Sequence, residues 1–309
     1  MSAQLIEAAS GGHLWAKRYD RELADIFAVQ DEIAASVSGA IQPALERSER
    51  DRVARKPPES LDAWECYHRG MCHYATFEAV EVDKALTFFR GAIELDPRFA
   101  AAHAAVATGY LREAAFFRPE ARAENIPRAL YYARQAVSID PLDATAHAAL
   151  ADSYLMSGRH SDSILEADLA VSLDPNSAYA YGIQGGVLAW GGQPRKAIEP
   201  LQTVMRLSPF DPRAPTWVYS MARAHYLAGD YKAAIATTRQ SRDMSPDLQQ
   251  AYATLVAAFG QIGQIDEARA VMAEALARFG ENAECIVEND RITMYRVNGK
   301  ISFLLDDDR

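Results

Sequence analysis

Between Leu61 and Gly280, apolar residues recur every three or four positions in short blocks. That is the spacing of one helix face, and glycine or proline closes the blocks. The phrases AIELDP ending at Pro97, AVSIDP at Pro141, AVSLDP at Pro175 and VMRLSP at Pro209 share one pattern; SRDMSP at Pro246 and ALARFG at Gly280 take the same place. The intervals are 44, 34, 34, 37 and 34 residues, so the chain is a repeat array with two longer intervals. Small residues stand twelve and five positions before each terminator, as in Ala85 and Ala92, Ala129 and Ala136, and Ser163 and Ala170. An aromatic or imidazole side chain opens each unit at Trp64, His103, His147, Tyr181 and Tyr252, with Trp217 one position off.

This spacing predicts helical hairpins. Two antiparallel helices approach closely where side chains are short, and Phe89, Leu201 and Met272 fill the spaces between. Gly158, Gly192, Gly229 and Gly263 mark the turns inside the hairpins, and proline ends the second helix because it lacks the N–H and restrains the residue before it. The stretch 59–280 therefore resembles six tetratricopeptide repeats. The resemblance implies an all-α, right-handed α-α superhelix, here with a small N-terminal β-hairpin and a lead-in helix. The extra residues around ATFEAVEV and AAFFRPEARAENIP are expected in loops. Residues 281–309, with apolar Ile286, Val287, Ile292 and Val297, are expected to cap the last repeat before an acidic tail.

The first sixty residues read differently. Residues 1–19 are expected to form a strand, a glycine turn and a second strand; 20–58 form an amphipathic helix, with Leu23, Ile26, Phe27, Ile33, Val37, Ile41 and Leu45 at helical spacing, and a linker. A lone hairpin leaves its edges unpaired, which suggests the remnant of an upstream α/β domain. AQLIEAASGGHLWAKRYDRELADIFAVQDEI resembles the junction, in bacterial signalling proteins, between a TolB-like domain and a tetratricopeptide region. Such regions follow a class III adenylate or guanylate cyclase domain or a winged-helix domain. The resemblance thus implies the C-terminal regulatory part of a longer protein; separately, two copies could pair their hairpins or their Leu23 to Leu45 helices, a homodimerisation module acting through residues 1–55.

Composition narrows the partners. A net charge of −10 repels phosphate backbones and anionic membranes at long range, so neither nucleic acid nor membrane is expected. The chain shows neither a signal-peptide pattern nor a spanning segment, and Cys66, Cys72 and Cys285 make no disulfide framework; both suit the cytoplasm. Cys66, His68, Cys72 and His73 could suggest zinc, but on one helix they fall on nearly opposite faces. GGVLAWGG is followed by Gln193 and Pro194 where a phosphate loop needs Lys and Ser or Thr. The sequence holds no nucleophile elbow, HExxH pair or dinucleotide fingerprint. No enzyme, cofactor or metal is expected for this chain; a longer parent could be an adenylate cyclase.

The resemblance implies a concave surface lined by the first helix of each repeat. Its groove positions carry over to Thr108, Leu111 and Arg112; Asp152, Leu155 and Met156; Tyr179, Gly186 and Trp190; Tyr219, Arg223 and Tyr226; and Gln250, Ala257 and Gln261. The positions at which some relatives clamp a C-terminal carboxylate hold Ala104, Thr108, Ala148 and Asp152, so that clamp is not expected. Trp190, Tyr219, Tyr226 and Arg223 are the expected hot spots for a protein or peptide ligand. The alternative, that Trp190 and Tyr226 only pack within or between repeats, stays open at this point.

Overall fold

The computed structural model describes residues 2–6, 13–18, 61–76, 78–208, 211, 213–279, 283–288, 291–297 and 301–304. Among these are twelve α-helices: α1 (Ala63–Tyr74), α2 (Ala79–Leu95), α3 (Ala100–Arg112), α4 (Arg122–Ile139), α5 (Ala144–Met156), α6 (His160–Leu173), α7 (Ala178–Trp190), α8 (Pro194–Leu207), α9 (Ala214–Leu227), α10 (Tyr231–Met244), α11 (Gln249–Gln261) and α12 (Ile265–Phe279). Between residues 61 and 279 the described residues are all-α, built of successive helical hairpins. At the N-terminus, β1 (Ser2–Ile6) pairs antiparallel with β2 (His13–Arg18), with Ser2 opposite Arg18. The expected lead-in helix and linker of residues 20–58, and the glycines of the hairpin turn, lie outside the described residues.

Local chemistry sets the helix boundaries. Asp62 caps α1 reciprocally: its carboxylate accepts from the Glu65 N–H at 2.8 Å, and the Glu65 carboxylate accepts from the Asp62 N–H at 3.3 Å. The second helix of each hairpin stops where proline forbids α geometry in its predecessor: Asp96, Asp140 and Asp174 are extended, with ψ of 95°, 96° and 88°. Each aspartate then accepts from the N–H two residues on, that of Arg98, Leu142 or Asn176, at 2.9–3.0 Å. Within the hairpins Gly158, Gly192, Gly229 and Gly263 have φ of 75–82°, and the N–H of the following residue reaches back five positions, as from Asp230 to His225 at 2.9 Å.

In three of the units the aromatic or imidazole near the start of the first helix proves to be a latch. The Nε2 of His103 lies 3.1 Å from the Pro97 carbonyl, the Nε2 of His147 lies 2.9 Å from that of Pro141, and the Tyr252 hydroxyl donates to that of Pro246 at 3.1 Å. Each bond spans six residues and satisfies the carbonyl of the loop proline that follows the preceding helix. His147 also meets Glu166 through Nδ1 at 2.6 Å.

The chain divides into two compact units, residues 1–187 with 203–212, and residues 188–202 with 213–309. In the first, α1 packs on α2, α3 on α4 and α5 on α6, and α3 also meets α5. Its main core joins Val82, Leu86, Phe89, Val106, Leu111 and Leu150 with the alanines of the repeat, among them Ala85, Ala129 and Ala136 at 0% exposure. Gly70 and Gly109 show how close the helices come: a Cβ at Gly109 would lie 2.6 Å from Leu86 Cδ2, and one at Gly70 would lie 2.5 Å from the Phe89 ring. In the second unit α9 packs on α10 and α11 on α12, around Tyr252, Leu255, Val256, Phe259 and Met272.

The extra residues of the first two repeats are not accommodated as expected. In place of loops, the extra residues extend helical structure: α2 has 17 residues and α4 has 18, against 14 in α6, and α3 runs on into a π-helical turn at Glu113–Phe117 and a short 3₁₀ turn at Pro119–Ala121. A partly buried ionic clasp holds this insert. Arg118 donates to Glu113 at 2.5 Å and to Asp83 on α2 at 2.8 Å, and Asn125 donates to Glu113 at 3.1 Å. Burial pushes the Glu113 carboxyl up, whereas the hydrogen bond from Arg118 holds that of Asp83 down.

The C-terminal stretch adds three strands in an antiparallel meander: β3 (Ala283–Glu288), β4 (Arg291–Val297) and β5 (Ile301–Leu304). The backbone of β4 runs beside α11 and that of β3 beside α12, within the second unit.

Candidate ligand-binding surface

In the first unit the proposed groove positions have distinct environments. Arg112 is a latch between helices: its guanidinium lies 3.4 Å from the centre of the Tyr74 ring and donates to the Tyr74 carbonyl. Thr108 donates to the Ala105 carbonyl at 3.0 Å, while its own carbonyl accepts from the Tyr74 hydroxyl at 3.4 Å. Met156 packs on the main core, and Tyr179 on the small cluster of Ala148, Ala170 and Ala180. Asp152 differs from all of these. Part of its surface is exposed, no described residue donates to it or pairs with it, and desolvation raises its pKa to about 6.

In the second unit Trp190, Tyr219, Arg223, Tyr226 and Gln261 come from α7, α9 and α11. Trp190 is 56% exposed, and the Arg223 guanidinium lies over its ring, 3.5 Å from the centroid. Arg223 is half-buried, and desolvation lowers its pKa, partly offset by Tyr219. Tyr219 itself is buried. Its ring packs with Leu248 and Ala251, its hydroxyl meets Thr254 Oγ1 at 3.3 Å, and its ring centre lies 5.8 Å from Arg223. The expectation of Tyr219 as a contact residue is therefore corrected: it supports the surface from beneath. Tyr226 packs against the Tyr252 core and edge-on to Tyr231 at 5.5 Å, and it shares a hydrogen bond with exposed Gln261. The two readings left open by the sequence divide here, with Tyr226 largely packing and Trp190 presenting its ring outward.

Leu227, next along α9, is 47% exposed and adds apolar area that the sequence reading passed over. Its signal was its place directly after Tyr226 at a helix end. The pairing of Arg223 with Trp190 joins residues 33 positions apart, near one repeat length, so the register could have found it.

Other candidate chemistry is occupied by structure. His73 meets Glu81 at 2.6 Å, and burial pushes the Cys66 thiol up. Among the described residues no group of three His, Cys, Asp or Glu side chains could hold a metal ion, and no helix is long and apolar enough to cross a membrane.

A tetratricopeptide repeat model matches residues 115–178 and 191–248. With the hairpin geometry, this places tetratricopeptide repeats in the chain. A protein of Rhizobium meliloti (strain 1021) described as "Putative adenylate cyclase 3" is 37% identical over 106 residues, 34% of this chain; the match spans 18% of that relative's length. Among solved structures, TTC0263, a thermophilic tetratricopeptide protein of Thermus thermophilus, aligns with a TM-score of 0.51 at 18% identity, covering 64% of this chain and 98% of that one. The Cut9–Hcn1 hetero-tetramer of the APC/C aligns with a TM-score of 0.60 at 15% identity, covering 77% and 45%. These two likenesses concern the fold alone.

Proposed function

We propose that the chain is a protein-interaction scaffold that takes a peptide or helix of a partner on the surface formed by Trp190, Arg223, Tyr226, Leu227 and Gln261. The observation that carries this reading is the exposed Trp190 ring with the desolvated Arg223 cation held on it. A large rigid aromatic and a guanidinium are among the side chains that dominate binding energy at interfaces, the aromatic because it covers area at small entropic cost and the guanidinium because it adds directed hydrogen bonds. In the first unit Thr108, Arg112, Asp152, Met156 and Tyr179 belong to the same functional reading, with Asp152 as its charged member.

Affinity capture from the native cell tests it. The full-length double variant Trp190→Ala/Arg223→Ala is expected to lose the captured partner while keeping its helical circular-dichroism spectrum. Equal capture by the wild type and the variant removes the surface from consideration.

A second reading rests on the adenylate cyclase relative: the chain is the regulatory part of a cytoplasmic bacterial signalling protein whose catalytic domain lies elsewhere. Its N-terminal hairpin, residues 1–19, would complete an upstream sheet, and 281–309 would cap the array. An in-frame cyclase or winged-helix domain preceding the codon for Met1 supports this; a stop codon with a ribosome site there removes it. Residues 1–55 are also proposed to pair two copies. Light scattering of the chain with and without them decides this, and a monomer mass in both cases excludes it. With a net charge of −10, neither nucleic acid nor membrane is proposed as a partner.

A further inference from the structure

Several arginines of the array have carboxylate partners, among them Arg118 with Asp83 and Glu113, Arg159 with Asp162, Arg242 with Glu274 and Arg278 with Asp247, while Arg134 and Arg239 lie over aromatic rings but are exposed to water. Arg223 is different. Among the described residues no carboxylate or hydrogen-bond acceptor pairs with its guanidinium, although it is half-buried and desolvated enough for its pKa to fall. Its charge meets only aromatic faces, those of Trp190 at 3.5 Å and Tyr219 at 5.8 Å. Cation–π attraction offsets part of the lost hydration. It acts on the charge and does not consume the N–H donors of the guanidinium.

We infer that Arg223 is the reading head of this surface and accepts the side-chain carboxylate of an aspartate or glutamate in the partner's peptide, with an apolar neighbour of that residue lying on Trp190 and Leu227. The inference rests on the proposed peptide-binding reading and names its chemistry. A guanidinium fork matches two carboxylate oxygens, whereas a cationic or neutral side chain would leave its donors unsatisfied. Folding has already removed much of the water from Arg223, so an arriving carboxylate regains the ion–ion term without meeting that part of the desolvation cost again. The neighbouring geometry is fixed before binding. Tyr219 is anchored on Thr254, and Thr254 donates to the Gln250 carbonyl at 3.1 Å. The net charge of −10 repels an acidic peptide at long range, so selection comes from the short-range contact and not from steering.

An array of short peptides of randomised sequence with amidated C-termini, probed with the full-length chain, tests this. The wild type is expected to select peptides bearing Asp or Glu beside an apolar or aromatic residue. Arg223→Gln should abolish the acidic preference and weaken the selected peptides on the order of thirtyfold. Arg223→Lys, which keeps the charge without the planar fork, should keep the preference at reduced affinity. Circular dichroism verifies the fold of each variant. If Trp190→Ala weakens the selected peptides but Arg223→Gln leaves their acidic content unchanged, the carboxylate assignment falls and the peptide-binding surface stands. If the wild type selects nothing, or neither variant matters, both fall. A preference that appears only with free C-termini would assign a terminal carboxylate and overturn the side-chain reading.

Discussion

Replacing Asp152 by asparagine should stabilise the protein at neutral pH, and the size of the gain follows from its surroundings. In the unfolded chain this carboxyl ionises near 3.8; in the folded chain desolvation raises the value to about 6, with no partner to offset it. The folded state therefore binds the proton more tightly than the unfolded state. The contribution of Asp152 is most favourable below pH 4, falls as pH rises from about 4 to about 6, and stays at its least favourable level above that. At 1.36 kcal/mol per unit the shift amounts to about 3 kcal/mol, an upper bound because the side chain keeps some contact with water. Asparagine has nearly the same shape and no charge, but its amide also loses hydration, so a net gain of about 1–3 kcal/mol is expected at pH 7.5. This corresponds to a rise in melting temperature of roughly 2–10 °C for a unit of this size. The assay is thermal or urea unfolding of wild type and Asp152→Asn at a series of pH values. The readout is the difference between them, since Glu113 and Asp83 shift in opposite senses and affect both proteins alike. A difference that is flat between pH 4 and 7, or a variant less stable than wild type at pH 7.5, would refute the reasoning.

Three further outcomes are expected. Gly229→Ala forces a side chain into φ of 80° with no steric clash at its Cβ; it should cost about 1–2 kcal/mol, read as a drop in the urea midpoint. Tyr252→Phe removes the hydroxyl that serves the Pro246 carbonyl and should cost about 1 kcal/mol, with faster amide exchange at the start of α11. Phe89→Ala empties a fully buried site beneath Gly70 and should cost about 3–5 kcal/mol by equilibrium unfolding.

Much of the hairpin architecture was legible because its determinants are local. A glycine that must take positive φ at Gly229, or an aspartate held extended ahead of Pro97, leaves a mark in one or two letters. The insert after α3 was misread as a loop for an equally physical reason. Glu113 is buried only because Arg118, Asn125 and, through Arg118, distant Asp83 converge on it, and no local pattern reports that convergence. The C-terminal meander did leave a signal, in the Asn298–Gly299 pair between apolar runs and the alternation of Ile292 and Met294 with Arg291, Thr293 and Tyr295. At the candidate surface, repeat register assigns Trp190 and Arg223 to their helices. Register could not show that Arg223 lacks a carboxylate partner, which depends on the residues around it in space.

The six-residue latches from His103, His147 and Tyr252 bear on how the array forms as well as on how it stands. Each is made across a short loop, so closing it costs little chain entropy, and it orients the next helix before any distant contact exists. Such junctions lower the contact order of the chain and favour rapid, stepwise zippering from whichever hairpin forms first. Repeats joined in this way can be gained or lost by duplication or deletion without redesigning a long-range core.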